Sequence, residues 1–165
     1  AIDQVDIFNE FCKNGSKVLS TINEENLLEV TFLVNGEDVI PNEKKTLLAS
    51  GKLSVKKMTK SAFYELYQDY VCSITLRIAR EIFAKRKIQM IILTAEGEQL
   101  NTKTGYIESQ PIVSVAIPRE TLNSLNLSML DPSDSMDNFI HRMKFLKTKG
   151  FQPIERLSST EIFSS

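Results

Sequence analysis

Glu96, Glu98 and Glu108 stand at the ends of two apolar runs, and Glu108-Ser109-Gln110 has an E-x-Q form. Magnesium-dependent nucleases collect acids on adjacent strands in this way, because metal-bound oxygens must be held close to a scissile phosphate. A metal-dependent nuclease or phosphodiesterase using Glu96, Glu108 and Gln110 is therefore one reading. Against it, Gln110 directly precedes Pro111, no lysine lies in the run that follows, and glutamates at strand ends also serve simple solvation. A second set of polar residues lies in LYQDYVCSITLRIAREIFA, residues 66–84, where Asp69, Arg77, Arg80 and Glu81 interrupt an otherwise apolar helical pattern. Arg77 and Glu81 are one turn apart, so the stripe is either a solvated face laced by weak pairs or a buried ionic network.

Other chemistries lack their parts. His141 is the only histidine, and Cys12 and Cys72 lie sixty residues apart, so neither a structural zinc site nor a disulfide framework is expected. The sequence contains no G-x-x-x-x-G-K-[ST], no G-x-G-x-x-G and no G-x-S-x-G, which leaves phosphate cradling and a serine nucleophile without a candidate. Asp131, Asp134 and Asp137 have the wrong spacing for a calcium loop, and Pro132 suits a helix start instead. No metal ligands and no cofactor are expected.

A chain of 165 residues, 42% apolar and 25% charged, can bury a core without staples. Both cysteines sit in apolar helical patterns and read as small buried hydrophobes of a reducing compartment. The chain starts at AIDQVDIFNE with no leader and no apolar run able to span a bilayer, which points to a cytoplasmic fragment of a longer protein and no membrane partner. Residues 1–43 hold nine acids against Lys13 and Lys17, whereas the remainder holds eighteen basic residues against twelve acids. Such asymmetry suits either a nucleic-acid footprint or two mutually attractive parts of one fold, and the second is preferred. Basic residues cluster at Lys52 to Lys60, Lys85 to Lys87 and Arg142 to Lys149, but no recognisable DNA or RNA module accompanies them.

Periodicity gives the elements that must position these groups. Ile2, Val5, Phe8, Phe11 and Cys12, followed by Val18, Leu19 and Ile22, step by three and four and predict an amphipathic helix broken near Asn14-Gly15. Val30, Phe32 and Val34 alternate into Asn35-Gly36 and predict a hairpin returning through Ile40. Residues 42–60 read as a polar connection. A long central helix runs from about Lys60 to Arg86, with apolar rows Val71/Ile74/Ile78/Ile82 and Cys72/Leu76/Ala79/Phe83. KIQMIILTAEG and PIVSVAI read as strands buried on both faces. Pro118 opens a short helix, and Asp131 caps a last one running through SMDNFIHRMKFLK to Gly150, with His141 at its middle.

The phrases LYQDYVCSITLRIAREIFA, LNTKTGYIESQPIVSVAIPRETL, DPSDSMDNFIHRMKF and KTKGFQP, in this order, resemble the C-terminal domain of a group of uncharacterised bacterial multi-domain proteins, in which they follow unrelated N-terminal modules. The resemblance spans about residues 45–155 and transfers no catalytic residue, because that group has no assigned activity. It implies a bacterial cytoplasmic origin. It also suggests that Gln68, Asp69, Arg77, Arg80, Asn101, Thr104 and Glu108 share one surface, provided that the start of strand 111–117 approaches the long helix.

The expectation is a single α+β domain with a mixed sheet of four to five strands, a long central helix and further helices packed on it. Residues 1–43 form a helix and hairpin, 44–157 the α/β core, and 158–165 a frayed tail. The expected role is a non-enzymatic protein-interaction or regulatory module that binds a protein partner, another domain of its own chain or a second copy of itself. The alternative is the nuclease-like or nucleic-acid-binding domain.

Overall fold

The computed structural model describes residues 17–24, 26–34, 36 and 43–163. In chain order the elements are β1 (Lys17–Glu24), β2 (Leu27–Leu33), β3 (Glu43–Leu47), β4 (Leu53–Lys57), α1 (Lys60–Lys85), β5 (Met90–Asn101), β6 (Tyr106–Pro118) and α2 (Arg119–Asn123). They are followed by α3 (Pro132–Ser135), a 3-10 turn (Met136–Asn138), β7 (Ile140–Leu146), β8 (Gly150–Gln152) and α4 (Ser159–Phe163). The architecture is α+β. A six-stranded sheet has the order β1-β2-β5-β6-β7-β8, and β3-β4 forms a separate two-stranded ladder. β2 and β5 are parallel and the other pairs antiparallel, so the sheet is mixed. A parallel pair needs a long crossover, and β3, β4 and α1 supply it.

α1 forms where the period predicts it. The Thr59 hydroxyl accepts the Ala62 backbone N–H at 3.1 Å and closes its first turn. All eight residues of the two apolar rows are buried. They pack on the front of the sheet against Leu28, Val30 and Phe32 of β2, Ile91, Leu93 and Ala95 of β5, and Val113, Val115 and Ile117 of β6. Each fully buried Val, Leu, Ile or Phe among them contributes roughly 1.5–3 kcal/mol on burial. The far side of the helix is covered by Leu122 of α2, by Leu125, Leu127 and Leu130 of the following loop, and by Met136.

Several expectations are corrected. Val18, Leu19 and Ile22 lie in a strand rather than a helix, because β1 pairs along β2 through a turn in which Asn26 takes a φ of 61°. Both edges of β2 are taken, by β1 and by β5. Residues 1–16, Asn35 and the return through Ile40 lie outside the described residues. Residues 42–60 hold the β3-β4 hairpin, turned at Gly51 with φ 82°. β6 begins at Tyr106, five residues before Pro111, which is accommodated where the register with β5 shifts next to Glu96.

The largest correction concerns the last helix. Asp131 does cap it, accepting the Asp134 N–H at 3.1 Å and the Ser133 hydroxyl at 2.8 Å, but the helix ends at Ser135. Residues 140–146 instead form β7, whose alternate Met143 and Phe145 pack towards α1. His141 is therefore a strand residue, its Nδ1 3.1 Å from the Phe139 carbonyl oxygen. Gly150 does not end a helix either: it starts β8 at φ 80°, pressed so close to the Tyr64 ring that a Cβ would lie 2.7 Å from Cδ1. Of the tail expected to fray, Ser159–Phe163 form α4, with Ile162 packed on the back of the sheet.

Candidate functional site

The strand register decides whether the candidate carboxylates meet. Glu96 shares its face with Ile92 and Thr94, the back of the sheet, because side chains alternate along β5. Glu108 pairs with Gln99 and Gln110 with Gly97, which places both on the opposite, front face. The sheet thus stands between Glu96 and the other two. Each glutamate has local partners: Glu96 accepts from the Ser109 hydroxyl at 3.1 Å and from Arg156 at 3.3 Å, and Glu108 accepts from Asn101 at 3.0 Å. Among the described residues no three His, Cys, Asp or Glu side chains are placed to hold one metal ion.

The proposed shared polar surface divides into three places. Asn101 and Thr104 surround Glu108 at the tip of the β5-β6 hairpin. Arg77 and Glu81 pair at 3.8 Å on the C-terminal half of α1, towards the start of β5 and away from the tip. Arg77 and Arg80 are exposed, so this stretch of the stripe is solvated. With Leu76, Leu127 and Leu130 they border a cavity of about 370 Å³, and Glu81 Oε2 is buried there without a hydrogen-bond partner.

Asp69 forms the third place. Burial raises its carboxyl pKa above the usual carboxylate range, Asp131 and Glu65 add to the effect, and hydrogen bonding from Ser133 opposes it. Its Oδ1 has no partner. Asp131, one helix start away, is shifted the other way because the Asp134 N–H and the Ser133 hydroxyl stabilise its charge. Cys72 lies beneath them, fully buried, its thiol pushed up to about 12 by burial and by these two carboxylates. A thiol at that value is a packing group and not a nucleophile.

Two constellations escape sequence reasoning. The first is Arg119, whose guanidinium donates to the carbonyls of Ile88 at 2.8 Å, Phe83 at 2.9 Å and Arg86, and sits 4.7 Å over the Phe83 ring. It caps the C-terminal end of α1, where unpaired carbonyls and the helix dipole favour a cation. The signal was Arg directly after Pro118, in a segment read only as a helix start.

The second is a polar row across the back of the sheet: Thr31, Thr94, Ser114 and Arg142 are register partners on four adjacent strands. Ser114 Oγ lies 2.9 Å from Thr94 Oγ1 and accepts the Leu157 N–H at 2.9 Å. Arg142 pairs with Glu161, and Glu29 accepts the Ser159 N–H at 3.1 Å. The row therefore anchors residues 154–163 as a strap over the back face, with Leu157 as its buried apolar plug beside Leu27, Ile92 and Ala116.

No family model matches this chain, and no curated protein or solved structure does so either. Among the described residues no helix is long and apolar enough to cross a membrane.

Proposed function

We propose that this chain is a non-enzymatic interaction module of a larger bacterial cytoplasmic protein, one that binds a protein partner or another domain. The observation that carries this reading is the tip of the β5-β6 hairpin. Leu100 and Ile107 are register partners there, and with Tyr106 they leave 60–73% of each side chain in water. Leu100 and Ile107 lie side by side on one face and Tyr106 on the other, and large apolar groups left beyond the core are costly unless something covers them. The β3-β4 hairpin repeats the pattern with Leu47, Leu53 and Val55, and a lone two-stranded ladder is marginal in water without a surface to lie on. The separation of Glu96 from Glu108 and Gln110 takes support from a metal-dependent nuclease.

A photo-crosslinking amino acid in place of Tyr106, in cells expressing the chain, tests the reading. A discrete adduct that disappears when Leu100→Ser and Ile107→Ser are combined is the expected result. No adduct, or the same adducts with and without the two serines, would refute it.

A further inference from the structure

We infer that the β3-β4 hairpin is a wedge for an anionic lipid surface, its leucine end entering the bilayer interface and its lysines resting on the headgroups. The inference goes beyond the interaction-module reading, which the β5-β6 tip carries on its own. It also departs from the expectation of no membrane partner, which rested on the lack of a spanning run; a surface wedge needs none.

Leu47 and Leu53 are register partners at the end of the ladder. The turn beyond them is closed by the Leu48 N–H, which donates to the Lys52 carbonyl at 2.8 Å, and by the Gly51 N–H, which donates to the Leu48 carbonyl at 2.9 Å. Residues 46–53 are all exposed, and Leu47, Leu48, Leu53 and Val55 leave 47–73% of their surface in water. An ordered apolar end therefore projects from the body of the fold.

Charge surrounds that end. Residues 44–60 hold six lysines and no acid, and lysine clusters of this size beside an apolar anchor bind anionic lipids. Lys44 and Lys56 are register partners, and like charges at facing positions repel unless an anion offsets them. Among the described residues Lys52, Lys56 and Lys57 form no ion pair. Lys56 and Lys57 are consecutive strand residues, so they point to opposite faces of the ladder, roughly 10–14 Å along the strand from Leu53. An apolar element that sinks about 5–10 Å into the interface would bring both to the headgroups. A protein groove would read one face of the ladder, whereas here the charge lies on both. A nucleic acid would call for arginine forks and stacking aromatics, and residues 44–60 contain neither.

The chain has no tryptophan, so Leu47→Trp places a single fluorescent reporter at the tip. This variant is titrated with vesicles of equal parts phosphatidylglycerol and phosphatidylcholine, and with vesicles of phosphatidylcholine alone. The expected result is a blue shift of the emission with the anionic vesicles only, and binding that weakens as salt rises. Adding Lys52→Glu and Lys56→Glu should lower the affinity about tenfold or more at an unchanged denaturant midpoint, which keeps loss of binding apart from loss of fold. No binding to the anionic vesicles, binding without a blue shift, equal affinity for both kinds of vesicle, or affinity indifferent to the two glutamates would each overturn the site. Binding of a DNA duplex that the anionic vesicles fail to displace would overturn it in favour of a nucleic acid. None of these results touches Tyr106, whose crosslinking decides the broader reading separately.

Discussion

The two faces of the sheet are built on different physics. On the front, Ile91, Leu93, Val113, Val115 and Ile117 meet the apolar rows of α1 in a continuous core. On the back, the same strands present Thr94, Ser114 and Glu96, and only a small apolar group around Leu157 interrupts the polar row. Dispersion and the hydrophobic effect hold the front, without direction. Directional hydrogen bonds to one short strap hold the back, and each needs its partner in place. The front therefore stabilises the fold, while the back fixes one segment in one position.

The largest effect expected from this contrast comes from the front. Ile82 is fully buried between α1 and the sheet, and Ile82→Ala should cost about 2–5 kcal/mol, measured by denaturant unfolding, through lost transfer energy and the cavity left behind. A smaller value would mean that the helix can settle into the space. Ser114→Ala is the corresponding change on the back. It leaves the Leu157 N–H without its acceptor and should cost about 1–3 kcal/mol, with faster amide exchange at Leu157 but not at Leu93. Uniform acceleration across both faces would deny that the strap is a separate unit.

Much of this was legible in the sequence, and the gaps have physical causes. α1 was readable because its burial follows a helical period on two rows. β5 and β6 were readable because strands covered on both faces become continuous apolar runs. That same continuity hid the back face: Thr94 and Ser114 are single small polar residues within such runs, and only pairing reveals that they stand side by side. β7 was misread because the Asp131-Pro132 helix start was carried on to Gly150, while the edge position that makes 140–146 a strand is a property of the assembled sheet. Glu96, Glu108 and Gln110 looked like a set because sequence distance says nothing about which side of a strand a residue faces.

The strap's ion pair gives a weaker effect. Arg142 and Glu161 are partly solvated, so Glu161→Gln should cost less than about 1 kcal/mol, and the difference from the parent should shrink as salt is added. A salt-independent loss would place the pair in a drier setting than the rest of the back face.

The smallest effect tests the boundary of the front core, where Asp69 and Asp131 bracket the start of α3. Asp131 has a lowered pKa, so the native state favours its charge, and its contribution is present above the ordinary carboxylate range and lost as pH falls through the folded value. Asp69 is the reverse. With its folded pKa above 3.8, the native state binds the proton more tightly than the unfolded chain does, and stability falls as pH rises from 3.8 through the folded value. Asp69→Asn removes that charge while keeping the shape, and should raise the Tm slightly at neutral pH, the gain vanishing as pH drops towards 3.8. Asp131→Asn should lower the Tm over the same range. If Asp69→Asn were destabilising at neutral pH, the carboxylate would be accepting bonds that outweigh its burial beside Asp131 and Glu65, and the polar end of α1 would belong with the hydrogen-bonded back face rather than with the apolar front.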